Sequence, residues 1–116
     1  MKSGTDLINE SKGRIREIGI ADARAKYAEG RATFLDVRDL QEVNLGKIPN
    51  AVHISRGNLE TKVEAIIPRT TDVVIYCASG NRSAFAADVM QQMGYTSVCS
   101  LAGGFRAWAE SDGDID

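Results

Sequence analysis

Two hydrophobic periods take turns along this chain. Val73–Val74–Ile75–Tyr76 is an unbroken apolar, β-branched run, the pattern of a strand covered on both faces. Beyond it, Ala86, Val89, Met90 and Met93 recur with the 3, 1, 3 spacing of a helix core face, over Ser83–Met93, with Gly94 as the stop. The same exchange of periods runs through the rest. Arg14–Ile18 is expected as a first edge strand, and Ala21–Ala28 as a helix with Ala21, Ala25 and Ala28 on one face and Gly30 at its end. Ala32–Val37 reads as a strand, Gln41–Leu45 as a short helix closed by Gly46, and Ala51–Ile54 as a strand. Short helical pieces follow Gly57 and close at Pro68. Asp72–Tyr76 and Ser97–Leu101 are strands, and Phe105–Glu110 is a last helix.

Strands that alternate with helices imply an α/β fold: five strands in a mostly parallel sheet, with helices on both faces. Segments of about a dozen residues between strands suffice for right-handed crossovers. Parallel strands align their C-terminal ends, and ligands bind at that edge. Asp36–Arg38, Ser55–Arg56, Cys77 and Ala102–Gly103 each follow a strand, so all should share one rim. Residues 1–13 read as a helical N-terminal extension on the surface, 14–112 as one domain, and 113–116 as a frayed acidic tail.

Composition narrows the function. A chain of 116 residues buries a sufficient core without a disulfide or metal staple. A net charge of −2 with no basic run argues against a nucleic-acid surface. No apolar stretch suits a signal peptide or a membrane span, which points to a cytoplasmic protein with reduced thiols. Cys77 and Cys99 stand 22 positions apart beside a single histidine, so no metal site is expected.

The chemistry concentrates in Cys77, Ala78, Ser79, Gly80, Asn81 and Arg82, a C-x-x-x-x-R loop between strand and helix. Small side chains let its N–H groups turn inward, and Gly80 and Asn81 tolerate the positive φ that such a curl needs. The helix expected from Ser83 adds the positive end of its dipole. Two hydrogen bonds to the anion, about 1.5–3 kcal/mol each, and the dipole would carry a thiol from ~8.5 to below 7. Cys77 is thus the candidate nucleophile, Ala78 to Ser83 its cradle, and Arg82 a cation for an anionic donor or the partner of a surface acid. Asp36, Arg38 and Arg56 are candidate rim residues, either facing the pocket or bracing it.

Three separated motifs resemble those of the single-domain rhodaneses, a family of sulfurtransferases. LDVRDLQEVNLGKIPNAVHI is similar to the family pattern D-V-R-x-x-x-E-(aromatic)-x-x-G-H-I-x-G-A through Asp36, Val37, Arg38, Glu42, Gly46, Ile48 and Ala51. Val43, Lys47 and Asn50 depart from it, replacing an aromatic, His and Gly. CASGNRS resembles the active loop, with Cys77 in the persulfide-forming position, and LAGGFRAW resembles L-x-G-G-x-x-x-W. The resemblance implies a persulfide cycle between a small anionic sulfur donor, such as thiosulfate, and a thiophilic acceptor, cyanide or a thiol. A protein donor or acceptor is equally compatible, and no cofactor is implied. Related phosphatases place five residues between Cys and Arg, and this chain places four.

Other readings stay open on the sequence. The fold could serve as a non-enzymatic docking or redox-sensing module. Cys99 could resolve a Cys77 intermediate as a disulfide, although its mid-strand position suits packing. His53, inside a strand, suits packing better than a role as base. Gly103–Gly104 suits a close turn and Trp108 a core plug.

Overall fold

In the computed structural model, which describes residues 1–116, six α-helices and five strands alternate along the chain. Helix α1 (Gly4–Arg14) leads to β1 (Glu17–Ile18), α2 (Ile20–Glu29), β2 (Thr33–Asp36), α3 (Leu40–Asn44) and β3 (Val52–His53). A 3₁₀ turn, Arg56–Asn58, opens into α4 (Leu59–Ile66). Then come β4 (Val73–Tyr76), α5 (Asn81–Gln92), β5 (Val98–Leu101) and α6 (Gly104–Glu110). The strands form one sheet in the order β1-β5-β4-β2-β3. Every pairing is parallel, with Asp36 opposite Tyr76 and Ile75 opposite Ser100.

The central strand is apolar at every position because both its faces are covered. Val73, Ile75 and then Cys77 point into one layer with Leu35, Val37, Leu59, Val63, Ala86 and Met90, the side of α4 and α5. Val74 and Tyr76 point into the other with Phe34, Ala23, Cys99, Leu101 and Trp108, the side of α2 and α6. Each fully buried aliphatic or aromatic side chain contributes about 1.5–3 kcal/mol relative to exposure. Trp108 fills the second layer, edge-on to Tyr27 and Phe34 at 5.3 and 5.9 Å.

The structure revises several element boundaries. The first strand is only Glu17–Ile18, because α1 runs on through Arg14. A Ser3–Asp6 capping box starts this helix, and the Arg14 guanidinium meets the buried Asp88 of α5 at 2.7 Å. Helix α5 starts at Asn81, two residues before the expected Ser83, so the cysteine loop is shorter than its motif. Nor does the acidic tail fray: Trp108 donates its indole N–H to the Asp114 carbonyl at 2.7 Å, and the Asp116 N–H reaches the Lys47 carbonyl at 2.9 Å. Asn50 takes φ 68°, the left-handed conformation expected of a Gly substitute. No helix is long and apolar enough to cross a membrane.

Candidate active site

Strand β4 ends at Tyr76, and Cys77 continues its period into the α4–α5 layer at 1% exposure. The chain then reverses within Ala78, Ser79 and Gly80 to enter α5. Gly80 makes the turn at φ 112°, a conformation costly for any residue with a Cβ, and serves as the N-cap. This turn aims the Gly80 N–H at the Cys77 Sγ, 3.1 Å away. The Ser83 Oγ, in the first turn of α5, lies 3.4 Å from the same sulfur. Behind it the Ser100 Oγ of β5 closes to 2.8 Å, and Ser83 and Ser100 are both fully buried.

Burial pushes the Cys77 thiol up. Hydrogen bonds from the Ser83 hydroxyl and from the Ser83, Gly80 and Ser79 N–H groups outweigh it, and the thiol lies below its ordinary range. Cys99 shows what burial does where hydrogen bonds do not offset it. Its only hydrogen bond is a long one, 3.7 Å, to the Val73 carbonyl, and its thiol is pushed up by desolvation. The two thiols face opposite sides of the sheet, so a direct disulfide between them would require the sheet to open.

The loop is braced from below. Gly103 and Gly104, at φ 80° and 57°, bring the start of α6 against it, where the Phe105 N–H donates to the Cys77 carbonyl at 2.8 Å and the Arg106 N–H to that of Ala78 at 3.2 Å. A Cβ on Gly104 would lie 2.5 Å from the Cys77 carbonyl oxygen. This close approach is what the Gly–Gly pair permits.

The loop's cation is engaged. Arg82 donates two hydrogen bonds to Glu42 of α3, at 2.7 and 2.9 Å, and both side chains remain about a third exposed. The pairing with an acid is therefore the arrangement present, and Arg82 is not a free anion receptor. The Arg82 hydrogen bonds, opposed by partial burial, hold the Glu42 carboxyl down to about 2. Asp36 and Arg38 brace the rim and do not face the loop's interior. Arg38 grips Asp36 with its Nε and Nη2, donates to the Gly46 carbonyl at 2.8 Å and lies 4.4 Å from the Phe105 ring. His53 Nε2 sits 2.7 Å from the Arg38 carbonyl, tying β3 to the same turn. Arg56 pairs with Glu60 at 2.8 Å at the start of α4, so no free steering charge stands there.

Ala78, Ser79, Asn81 and Arg82 form the outer side of the loop, while Gly80 and Ser83 are buried within it. No group of three or more His, Cys, Asp or Glu side chains is arranged to hold a metal. Three site residues carry no sequence signal for their roles here. Glu42 reaches Arg82 from 40 positions away, Ser100 looks like one more strand residue, and Phe105 contributes a backbone N–H.

Comparison with known proteins identifies the domain that carries this loop. The pattern of the Rhodanese-like domain family matches residues 20–111. The chain belongs to the rhodanese-like domain family. Its fold is similar to that of a Rhodopseudomonas palustris protein of unknown function described as a possible tyrosine phosphatase, with 32% identity, coverage of 100% of this chain and 96% of that one, and a TM-score of 0.90. A rhodanese-related protein from Thermoplasma volcanium is also 32% identical, over 87% of this chain and 97% of that one, at 0.80. The human single-domain sulfurtransferase TSTD1 matches at 28% identity over 81% of this chain and 95% of that one, at 0.75. The rhodanese-like architecture and its sulfurtransferase-type fold are thereby shared across the whole domain.

Proposed function

We propose that this rhodanese-like protein is a sulfurtransferase that carries sulfane sulfur on Cys77. The observation behind this reading is the sulfur's environment: the Gly80 N–H at 3.1 Å and the Ser83 hydroxyl at 3.4 Å, in a loop that lowers the thiol against the pull of burial. A thiolate held this way is a nucleophile without a neighbouring base. It attacks the outer sulfur of thiosulfate or of a persulfide. The new Cys77–S bond forms as the donor's S–S bond breaks, and sulfite or a thiolate leaves with the electron pair. The resulting Cys77 persulfide anion meets the same inward N–H groups, which need not reorganise. A thiophile then attacks the terminal sulfur: cyanide leaves as thiocyanate, a thiol as a persulfide, and the Cys77 thiolate is restored.

The loop's size supports sulfur over phosphate. Four residues separate Cys77 from Arg82, and Arg82 is turned toward Glu42. Thiosulfate and cyanide turnover, followed as thiocyanate alongside hydrolysis of an aryl phosphate, tests the reading. Thiocyanate formation lost in Cys77→Ser, with phosphate release at background, is expected. Cys77-dependent phosphate release without thiocyanate would replace a sulfurtransferase by a phosphatase. Neither activity, with Cys77 readily oxidised, would favour the redox-sensing module.

A further inference from the structure

We infer that Ser100 is a positioning residue for Cys77, acting only through Ser83, in a buried two-hydroxyl relay that ends on the sulfur. The inference rests on the proposal that Cys77 is the working thiolate.

Strand β5 runs Val98–Cys99–Ser100–Leu101, and all four residues are buried. Ser100 is paired with Ile75 and so faces the α4–α5 layer, two residues before Cys77 on the neighbouring strand. A hydroxyl in an apolar layer costs free energy unless it is hydrogen-bonded. The partner of the Ser100 Oγ is the Ser83 Oγ at 2.8 Å, a distance typical of a good O–H···O bond. Ser83 in turn is the side chain whose hydroxyl reaches Cys77, at 3.4 Å.

Donor and acceptor capacity fixes the direction of this chain. Each serine hydroxyl has one hydrogen to give and two lone pairs to receive. A thiolate only accepts. When Cys77 is ionised, Ser83 must give its hydrogen to the sulfur, and its oxygen is then free to accept the hydrogen of Ser100. That second bond polarises the Ser83 O–H and strengthens its hold on the anion. When Cys77 is a thiol, the S–H can donate to Ser83, which then turns its hydrogen to Ser100. The second direction leaves the Ser100 hydrogen without an acceptor, and only the first places a polarised donor on the sulfur, so Ser100 favours the ionised form. The same holds for a persulfide anion whose inner sulfur keeps the Ser83 contact.

Few charges compete with the relay. The cation that feels Cys77 is Arg82, and Glu42 neutralises it. The buried side chains of the layer that Cys77 joins, Val37, Ile54, Leu59 and Ala86 among them, are apolar.

Thiolate absorbance, titrated by pH on the intact protein, tests the inference without requiring reagent access to the buried sulfur. The proteins are wild type, Ser83→Ala, Ser100→Ala and the double variant, each read against its Cys77→Ser counterpart to remove Cys99. The Cys77 midpoint is expected to rise by about one pH unit in Ser83→Ala and about half a unit in Ser100→Ala. The double variant should sit with Ser83→Ala, because Ser100 has no other route to the sulfur. Ser100→Thr and Ser100→Val share a shape and differ in the hydroxyl. Thr should track wild type and Val should track Ser100→Ala, which keeps the comparison intact where alanine does not fold. An unshifted Ser100→Ala, equal midpoints for Thr and Val, or additive shifts in the double variant would each overturn the relay and leave Cys77 as nucleophile. A wild-type midpoint at about 8.5, that of an ordinary cysteine, would overturn the relay and the nucleophile together.

Discussion

Arg82 and Glu42 face each other across the mouth of the cysteine loop, joined by two hydrogen bonds of 2.7 and 2.9 Å. Glu42 also accepts from the Asp39 N–H at 3.2 Å and closes the capping box of α3, so one carboxylate couples the loop to the turn after β2. An anionic donor approaching Cys77 therefore meets a neutralised arginine.

Glu42→Gln should keep the cap and remove the competing charge. The KM for thiosulfate is expected to fall about threefold with kcat nearly unchanged, the effect of deleting one solvent-screened charge at short range. Arg82→Gln should raise KM. Steady-state thiocyanate assays check both. A KM that is unchanged in both variants would mean that Arg82 never meets the donor.

Asp36→Asn keeps the side chain's shape but leaves the Arg38 cation uncompensated. Arg38 is 4% exposed and Asp36 not at all. Burial disfavours the charged guanidinium, and the hydrogen bond and charge of Asp36 more than restore it. Removing one partner of such a pair costs about 3–5 kcal/mol. Urea unfolding measures it, and a loss below about 1 kcal/mol would show that the pair contributes little.

Gly104→Ala should destabilise by about 2–4 kcal/mol, combining a strained positive φ with overpacking against backbone. The clash falls on the Cys77 and Ala78 carbonyls, so the thiol's cradle should be disturbed too. Thermal unfolding together with sulfur-loading rate reads both effects. Gly30→Ala is the control: it too has a positive φ, 72°, but its Cβ would meet nothing within 4 Å, so it should lose stability and leave loading intact.

The rate of sulfur loading should rise with pH through the Cys77 midpoint and level off before an ordinary thiol has ionised. The sign follows from the lowered thiol. Because the folded value lies below the unfolded one, ionised Cys77 also adds stability that is present in full above the ordinary thiol range and lost as pH falls through the lowered value. Glu42, held at about 2, stays ionised across the neutral range and adds no step there. Single-turnover rates with thiosulfate as a function of pH check this. A midpoint at or above the free-thiol range would show that burial, not hydrogen bonding, governs Cys77.

Much of this architecture was legible in the sequence because it depends on local pattern. The uniform apolar run of β4 announced a strand covered on both faces, Gly80 announced the turn, and the three motifs announced the family. The rest depends on contacts between distant segments. Arg14, Ile15 and Arg16 alternate in polarity like an edge strand, yet α1 runs through Arg14 and the strand is only Glu17–Ile18. The pairing of Arg14 with Asp88, which holds α1 on α5, involves a residue 74 positions away. The tail's order comes from Trp108 and Lys47, neither visible from an acidic run. Arg82 could be read as a donor site because its acid partner lies on another element. Ser100 has no sequence mark at all, since a serine in a strand says nothing of what it faces.

Intact mass after thiosulfate treatment, for wild type, Cys77→Ser and Cys99→Ser, tests sulfur carriage by Cys77 most directly. Wild type and Cys99→Ser should each gain the mass of one sulfur atom, Cys77→Ser should gain none, and cyanide should remove the added sulfur as thiocyanate. No gain from thiosulfate or from a low-molecular-weight persulfide, or a gain that survives in Cys77→Ser, would contradict it.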